Sequence, residues 1–209
     1  PWAKNPVDIV NYVSCHDNLT LWDKLGAACP NATDKEKLAM NRLAAAIVFT
    51  AQGIPFILSG EEFARTKPIE GTDDVSENSY NLPFYTNNLK YDRLVENMDL
   101  YEYYKGLIAF RKAHAGLRLA TKEAVEICLC FLHDLPEKVV AFTITTKEET
   151  LLVVYNANKE KIKLELPKKV EWEICVEGKK ASANAIRTLS KRTTKVEVPG
   201  VSALVAVSK

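Results

Sequence analysis

Ile9-Val10-Asn11-Tyr12-Val13-Ser14-Cys15-His16-Asp17-Asn18-Leu19 is the stretch on which the fold turns. Residues 9–13 are apolar or aromatic apart from one Asn, the near-continuous run expected of a parallel strand covered on both faces. A polar cluster follows at once: Ser14, His16, Asp17 and Asn18. In a barrel of parallel strands and helices, chemistry is carried at the C-terminal ends of the strands. There, His16 can donate a hydrogen bond to a substrate hydroxyl, and Asp17 is an anion able to face a developing cation.

The next residues supply a partner for that strand. The loop 19–32 holds one helical turn at 21–25, where Trp22, at helical spacing from Leu25, reads as packing rather than as a sugar platform. Thr33 and Glu36 form a capping box that opens a helix over 34–52. The second half of this helix is apolar nearly all round, so it reads as buried, and Gly53 ends it. A second strand at 54–59 leads directly into Gly60-Glu61-Glu62-Phe63-Ala64-Arg65-Thr66-Lys67. Strand, helix and strand in this order make a βαβ unit with a parallel pair, so both polar clusters leave the same edge of the sheet. Glu61 and Glu62 read as a solvated rim, one of them paired to Arg65.

Residues 68–96 form a long polar loop, of a length that is usually functional or mobile. Tyr80 and Asn81 within it suit a hydroxyl-rich ligand. Asn97 is expected to cap a helix over 98–114, with Leu100, Tyr104, Leu107, Ile108 and Arg111 on one face; Tyr103, Arg111 and His114 read as helix-surface or packing residues. At 116–120 the period changes from helical to two, which divides the chain into domains 1–117 and 118–209. Strands are expected at 125–133, 138–145, 151–157, 161–166, 171–176, 194–198 and 203–207, and about seven short strands with close turns argue for an antiparallel β-sandwich. His133 reads as a surface residue.

Bulk properties exclude several classes. With 209 residues, 47% hydrophobic and 26% charged, the composition is that of a globular protein, and a net charge of +1 favours neither nucleic acid nor an anionic membrane as partner. Apolar runs fall short of the roughly 18 residues of a membrane span. Cys15, Cys29, Cys128, Cys130 and Cys175 read as reduced, mostly buried thiols, which leans towards the cytoplasm while leaving a secreted or cell-surface location open. The three histidines lack metal-ligand spacing, so neither a metal nor a cofactor is expected. Pro1 in place of Met suggests that the natural N-terminus lies upstream.

Four segments in order, residues 12–18, 52–67, 78–81 (Asn-Ser-Tyr-Asn) and 107–112, together resemble the α-amylase family of glycoside hydrolases, and within it the type I pullulanases. The resemblance spans roughly residues 7–119; the β-rich tail is compatible with the C-terminal sandwich of such enzymes. It implies that the first part is the last two βα units of a (β/α)8 TIM barrel, giving an α/β plus all-β chain. It also implies an α-glucan substrate, with Asp17 as the transition-state-stabilising carboxylate and His16 as its hydroxyl-binding neighbour. Asn18, Tyr80 and Asn81 are implied substrate contacts. Where the family continues into Pro-Asp and a Trp, this chain has Leu82-Pro83-Phe84-Tyr85 and Tyr91. Calcium in the parent enzyme stays open.

The resemblance also implies what the chain does not hold. The nucleophilic Asp and the acid/base Glu of these retaining enzymes belong to earlier barrel strands, and a barrel takes about 250 residues to close. The chain is therefore expected to be a C-terminal fragment, inactive alone, whose partner is the N-terminal part of the same enzyme. Apolar faces meant for absent strands would favour self-association. The rival readings are a non-catalytic α-glucan-binding or structural module, a metal-dependent phosphohydrolase, and an isoamylase, glycogen-debranching or branching enzyme.

Overall fold

A computed structural model describes residues 2–208 of the chain. The first part runs β1 (Val10–Asn11), α1 (Leu21–Ala28), α2 (Asp34–Thr50), β2 (Ile54–Pro55), α3 (Phe84–Asn87), α4 (Asp92–Glu96) and α5 (Met98–Ala113). After α6 (Lys122–Cys128) come the strands β3 (Leu129–Phe131), β4 (Val139–Thr145), β5 (Thr150–Asn156), β6 (Ile162–Glu165), β7 (Trp172–Glu177), β8 (Lys180–Ala181), β9 (Arg187–Leu189), β10 (Lys195–Val198) and β11 (Ser202–Ser208).

The strand-rich part is a sandwich of unequal sheets. Strands β3-β4-β5-β11-β7-β8, with β9 beside β7, form a seven-stranded sheet, and β10 pairs with β6 in a separate two-stranded one. Side chains alternate across the large sheet as strand geometry requires. Leu151, Val153, Ala203, Val205 and Val207 face a core built with Ala45, Ala46 and Phe49 of α2 and Leu100, Tyr103, Leu107 and Phe110 of α5. Leu152, Val154, Leu204 and Ala206, with Trp172 and Ile174 of β7 beside them, face the opposite way, onto the inner residues Leu164, Val196 and Val198 of the small sheet. Being covered on both sides, β5 and β11 carry apolar residues at consecutive positions rather than alternating ones. The small sheet has one wet face, and β6 alternates as expected.

Helices α2 and α5 therefore lie against the sandwich, and the first core runs through position 117 without interruption. Two devices fix them. Gly106 of α5 sits where a Cβ would come within 2.0 Å of the Ala181 carbonyl oxygen, so glycine alone allows this approach to β8. Arg111 of α5 donates to the carbonyl oxygens of Phe49, Ala51 and Gly53 at 2.9, 2.8 and 2.6 Å, which satisfies the open C-terminus of α2. That helix stops at Thr50, two residues before the sequence-based end, and Gly53 takes the left-handed conformation at φ 104. Arg111 is thus a cap supplied by another helix as well as a packing residue.

Several expectations need correction. The run 9–13 is not a buried strand: only Val10 and Asn11 pair, parallel with Ile54 and Pro55, and Val10, Tyr12, Ile54 and Phe56 are exposed. Among the described residues the two strands have only each other as ladder partners, which limits their length. Residues 122–128 are helical rather than part of a strand, because the Thr121 side chain accepts from Ala124 N and starts a helical turn. The short β8 and β9 carried no sequence signal. Asn97 does not cap α5 with its side chain; its Nδ2 donates back to the Arg93 carbonyl. Of the five thiols only Cys175 is buried, Cys130 is exposed, and none is in a disulfide.

Candidate functional site

The parallel pairing of β1 and β2 sends the chain out of both strands at one edge, so residues 12–20 and 56–67 meet there. Their contact is polar. Ser14 Oγ donates to the Glu61 carboxylate, and the Tyr104 hydroxyl of α5 lies 3.3 Å from the other Glu61 oxygen and 2.8 Å from Asn41 Oδ1 of α2. Glu61 is buried, and burial is the main reason its pKa is raised above the ordinary carboxylate range; the bonds from Ser14 and Tyr104 partly offset that. The expected solvated, Arg65-paired rim is corrected accordingly. Glu62 instead accepts from the backbone N–H of Gly60, and Arg65 donates to the carbonyls of Ser59 and Asn87.

Above this buried layer, His16 and Asp17 stand in solvent, with side chains 85% and 73% exposed and His16 Nε2 3.5 Å from Asp17 Oδ2. Asn18 is also exposed and adopts a left-handed backbone at φ 61, a conformation Asn tolerates better than most residues. It turns the loop so that the carbonyls of His16 and Asn18 both point to one buried cation. That cation is Lys67, 2% exposed, whose Nζ donates to His16 O at 2.6 Å and to Asn18 O at 2.8 Å. Burial lowers the Lys67 pKa, with Arg65 adding to the effect, while Asp23, Asp17 and Cys15 pull the other way.

Lys67 is itself held from below. Asp23, in the first turn of α1, accepts from the Lys67 backbone N–H at 2.9 Å and from Thr66 Oγ1 at 2.5 Å. Helix α1 begins where it does because Thr20 Oγ1 accepts from Asp23 N, so one cap sets the position of the carboxylate. Lys24 of the same helix donates to Val13 O at 2.7 Å. Trp22 is half-buried between the cationic groups of Lys37 and Arg93, at 4.5 and 5.3 Å from its ring, consistent with packing rather than sugar stacking.

The long loop is more ordered than its composition suggested, since it contains α3 and α4. Asn87 Nδ2 donates to the carbonyls of Ser79 and Leu82, and Arg93 Nε donates to Ala64 O. The Arg93 bond, together with Arg65 to the Asn87 carbonyl, ties residues 79–93 to the segment that follows β2. Tyr80 is 83% exposed and Asn81 is exposed beside it. The structure thus brings His16, Asp17 and Asn18 together on one loop, with Tyr80 and Asn81 on a second loop anchored to the same segment. Sequence reading missed Lys67 and Asp23, and it missed the burial of Glu61. No local pattern marks them, because their partners lie more than 40 residues away. Among the described residues no group of three or more His, Cys, Asp or Glu could hold a metal ion, and no helix is long and apolar enough to cross a membrane.

Comparison with known proteins agrees with this architecture. The family profile "Pullulanase, all-beta domain" matches residues 125–180. A pullulanase of Bacillus subtilis is 35% identical over 179 residues, covering 83% of this chain and 24% of that protein. Among solved structures, a pullulanase from Bacillus acidopullulyticus superposes with a TM-score of 0.89 at 32% identity, covering 98% of this chain and 25% of that one. The type I pullulanase of Bacillus subtilis complexed with maltose gives 0.87 at 31% identity, covering 99% and 28%. The chain thus spans about a quarter of the length of these relatives. Pullulanase relatives and structures cover this chain almost throughout, its sheet-rich part carries a pullulanase all-beta domain, and the whole fits a stretch of a type I pullulanase.

Proposed function

We propose that this chain is part of a debranching glycoside hydrolase that cleaves α-1,6 linkages in pullulan, starch or glycogen with retention of configuration. In this reading residues 1–117 are the last two βα units of a (β/α)8 barrel and residues 118–209 its sandwich domain. Asp17 faces the positive charge that develops on the sugar ring, and His16 binds a neighbouring hydroxyl. Asn18, Tyr80 and Asn81 contact the glucan. The nucleophile and the acid/base, two carboxyl groups separated by about 5–5.5 Å in retaining enzymes, come from residues outside this chain. The α-glucan substrate is supported by relatives solved as complexes with maltose and with maltotetraose.

The observation that carries the reading is an exposed carboxylate and imidazole held on a polar loop at the C-terminal end of a parallel strand. The Asp17 carboxylate stands in water with the His16 ring beside it and is open to a ligand, whereas the carboxylate of Asp23 is taken up by Thr66 and the Lys67 backbone. The exposed Val10, Tyr12, Ile54 and Phe56 suit contact with further barrel strands. On that account the purified chain self-associates or owes its order mainly to the sandwich packing on α5, and a monodisperse monomer in solution scattering with a single cooperative unfolding transition would count against it.

The test is pullulan hydrolysis by the chain alone and by the chain joined to the preceding part of its enzyme. Activity should appear only in the second. Cleavage of pullulan by residues 1–209 alone would overturn the proposal, as would an inactive longer protein that is correctly folded.

A further inference from the structure

We infer that Lys67 is a positioning residue for the loop that carries His16, Asp17 and Asn18, its buried ammonium fixing the conformation in which Asp17 is presented. The catalytic side of this inference rests on the proposed role of Asp17; the clamp itself does not.

The ends of the loop are held by Ser14 to Glu61, Lys24 to the Val13 carbonyl and the Thr20 cap, while between them the one other tie is Cys15 Sγ, 3.8 Å from the Asp17 carbonyl oxygen. Strand β1 contributes a ladder of only two residues, and neither His16 nor Asp17 has an apolar contact that would bury it. Two carbonyls flanking the carboxylate converge instead on one Nζ, from positions 51 and 49 residues away in sequence. Burying an ammonium carries a desolvation penalty, and a neutral amide could have satisfied two carbonyls with less. A lysine also brings a positive charge into the neighbourhood of Asp17, which is among the groups that hold the Lys67 pKa up against the larger lowering by burial. The backbone of Lys67 cannot drift, because Asp23 holds both its N–H and the Thr66 hydroxyl. The chain of support therefore runs from the α1 cap through Asp23 and Lys67 to the backbone on either side of Asp17. The backbone of residues 16–18 is tied through the ammonium, so the proposed catalytic carboxylate depends on a residue that touches no substrate.

Amide hydrogen exchange on the chain, with Lys67→Met and Lys67→Arg, tests the clamp. In Lys67→Met, exchange at 15–19 should rise by about tenfold or more, while exchange in β5 and β11 stays as in the parent chain. Arginine keeps a positive charge and donors on a larger, planar head, so Lys67→Arg should raise exchange at 15–19 by less than Lys67→Met does. Unchanged exchange at 15–19 would overturn the clamp. So would equal rises in the loop and in β5 and β11, because Lys67 would then be a general stability residue. In the longer protein, Lys67→Met should lower kcat on pullulan by about tenfold or more with KM moved far less, and Lys67→Arg should recover part of it. If the loop loosens but kcat holds, Lys67 is no positioning residue for the reaction. If Asp17→Asn is also fully active there, it is the role of Asp17 that fails, and the clamp stands on its exchange data.

Discussion

Strand β11 pairs with β5 along seven residues and buries every one of its side chains, whereas β1 and β2 share two residue pairs and expose Val10, Tyr12, Ile54 and Phe56. The sandwich is held by a continuous backbone ladder between two apolar cores. The rim is held by side chains reaching to backbone oxygens: Lys67 to His16 and Asn18, Lys24 to Val13, Asn11 to Gln52, Arg65 to Ser59 and Asn87. The difference separates two jobs. Apolar burial is cooperative and tolerates little local change, while a set of polar clamps lets an exposed carboxylate stand in water on a fixed backbone.

The sandwich should accordingly give the largest global effects. Trp172, fully buried between the large sheet and β6–β10, is the first place to press. Trp172→Ala is expected to cost about 3–5 kcal/mol in urea unfolding. A loss below about 1 kcal/mol would mean that the small sheet adds little to the core. Next comes the junction between the two regions. Arg111→Met removes three carbonyl partners at the end of α2 and should cost about 3 kcal/mol, with exchange rising first at residues 47–53. An exchange pattern untouched there would contradict the capping role.

The rim should show a smaller effect that depends on pH. The pKa of Glu61 is raised above its ordinary value of 4.5, so the protonated form favours the fold. That contribution is complete below the ordinary value and is lost as pH rises through the raised one. Glu61→Gln keeps an acceptor for Ser14 without the buried charge. It should therefore melt higher than the parent chain near pH ~7, with the gap closing towards pH ~4. A gap that stays constant with pH would show that the Glu61 charge is not the cause.

How much of this was legible in the sequence follows the same division. The capping box is present as read, with Thr33 Oγ1 accepting from Glu36 N and Glu36 accepting from Thr33 N. The alternation of β6 and the apolar runs of β5 and β11 placed most of the sandwich, because strand period is a local signal. Residues 9–13 misled because composition records what a strand is suited to be covered by, and among the described residues Val10 and Tyr12 are left about half exposed. Residues 125–128 carry β-branched and apolar types but lie downstream of a Thr cap, and the cap prevailed. The loop residues His16, Asp17 and Asn18 are indeed together and exposed, while the clamp beneath them escaped notice. A lysine following Arg65-Thr66 looks like any surface cation until the fold brings Asp23 and two carbonyls to it.

The most direct test is the activity of Asp17→Asn in the longer protein that carries this chain, measured on pullulan beside its melting temperature. Asp17 is solvent-exposed, so the melting temperature should stay where it was, and kcat should fall by about 10²–10³-fold as the charge proposed to face the transition state is lost. An Asp17→Asn enzyme that keeps kcat within about threefold would contradict the account, because the exposed carboxylate at the end of β1 would then have no part in the chemistry.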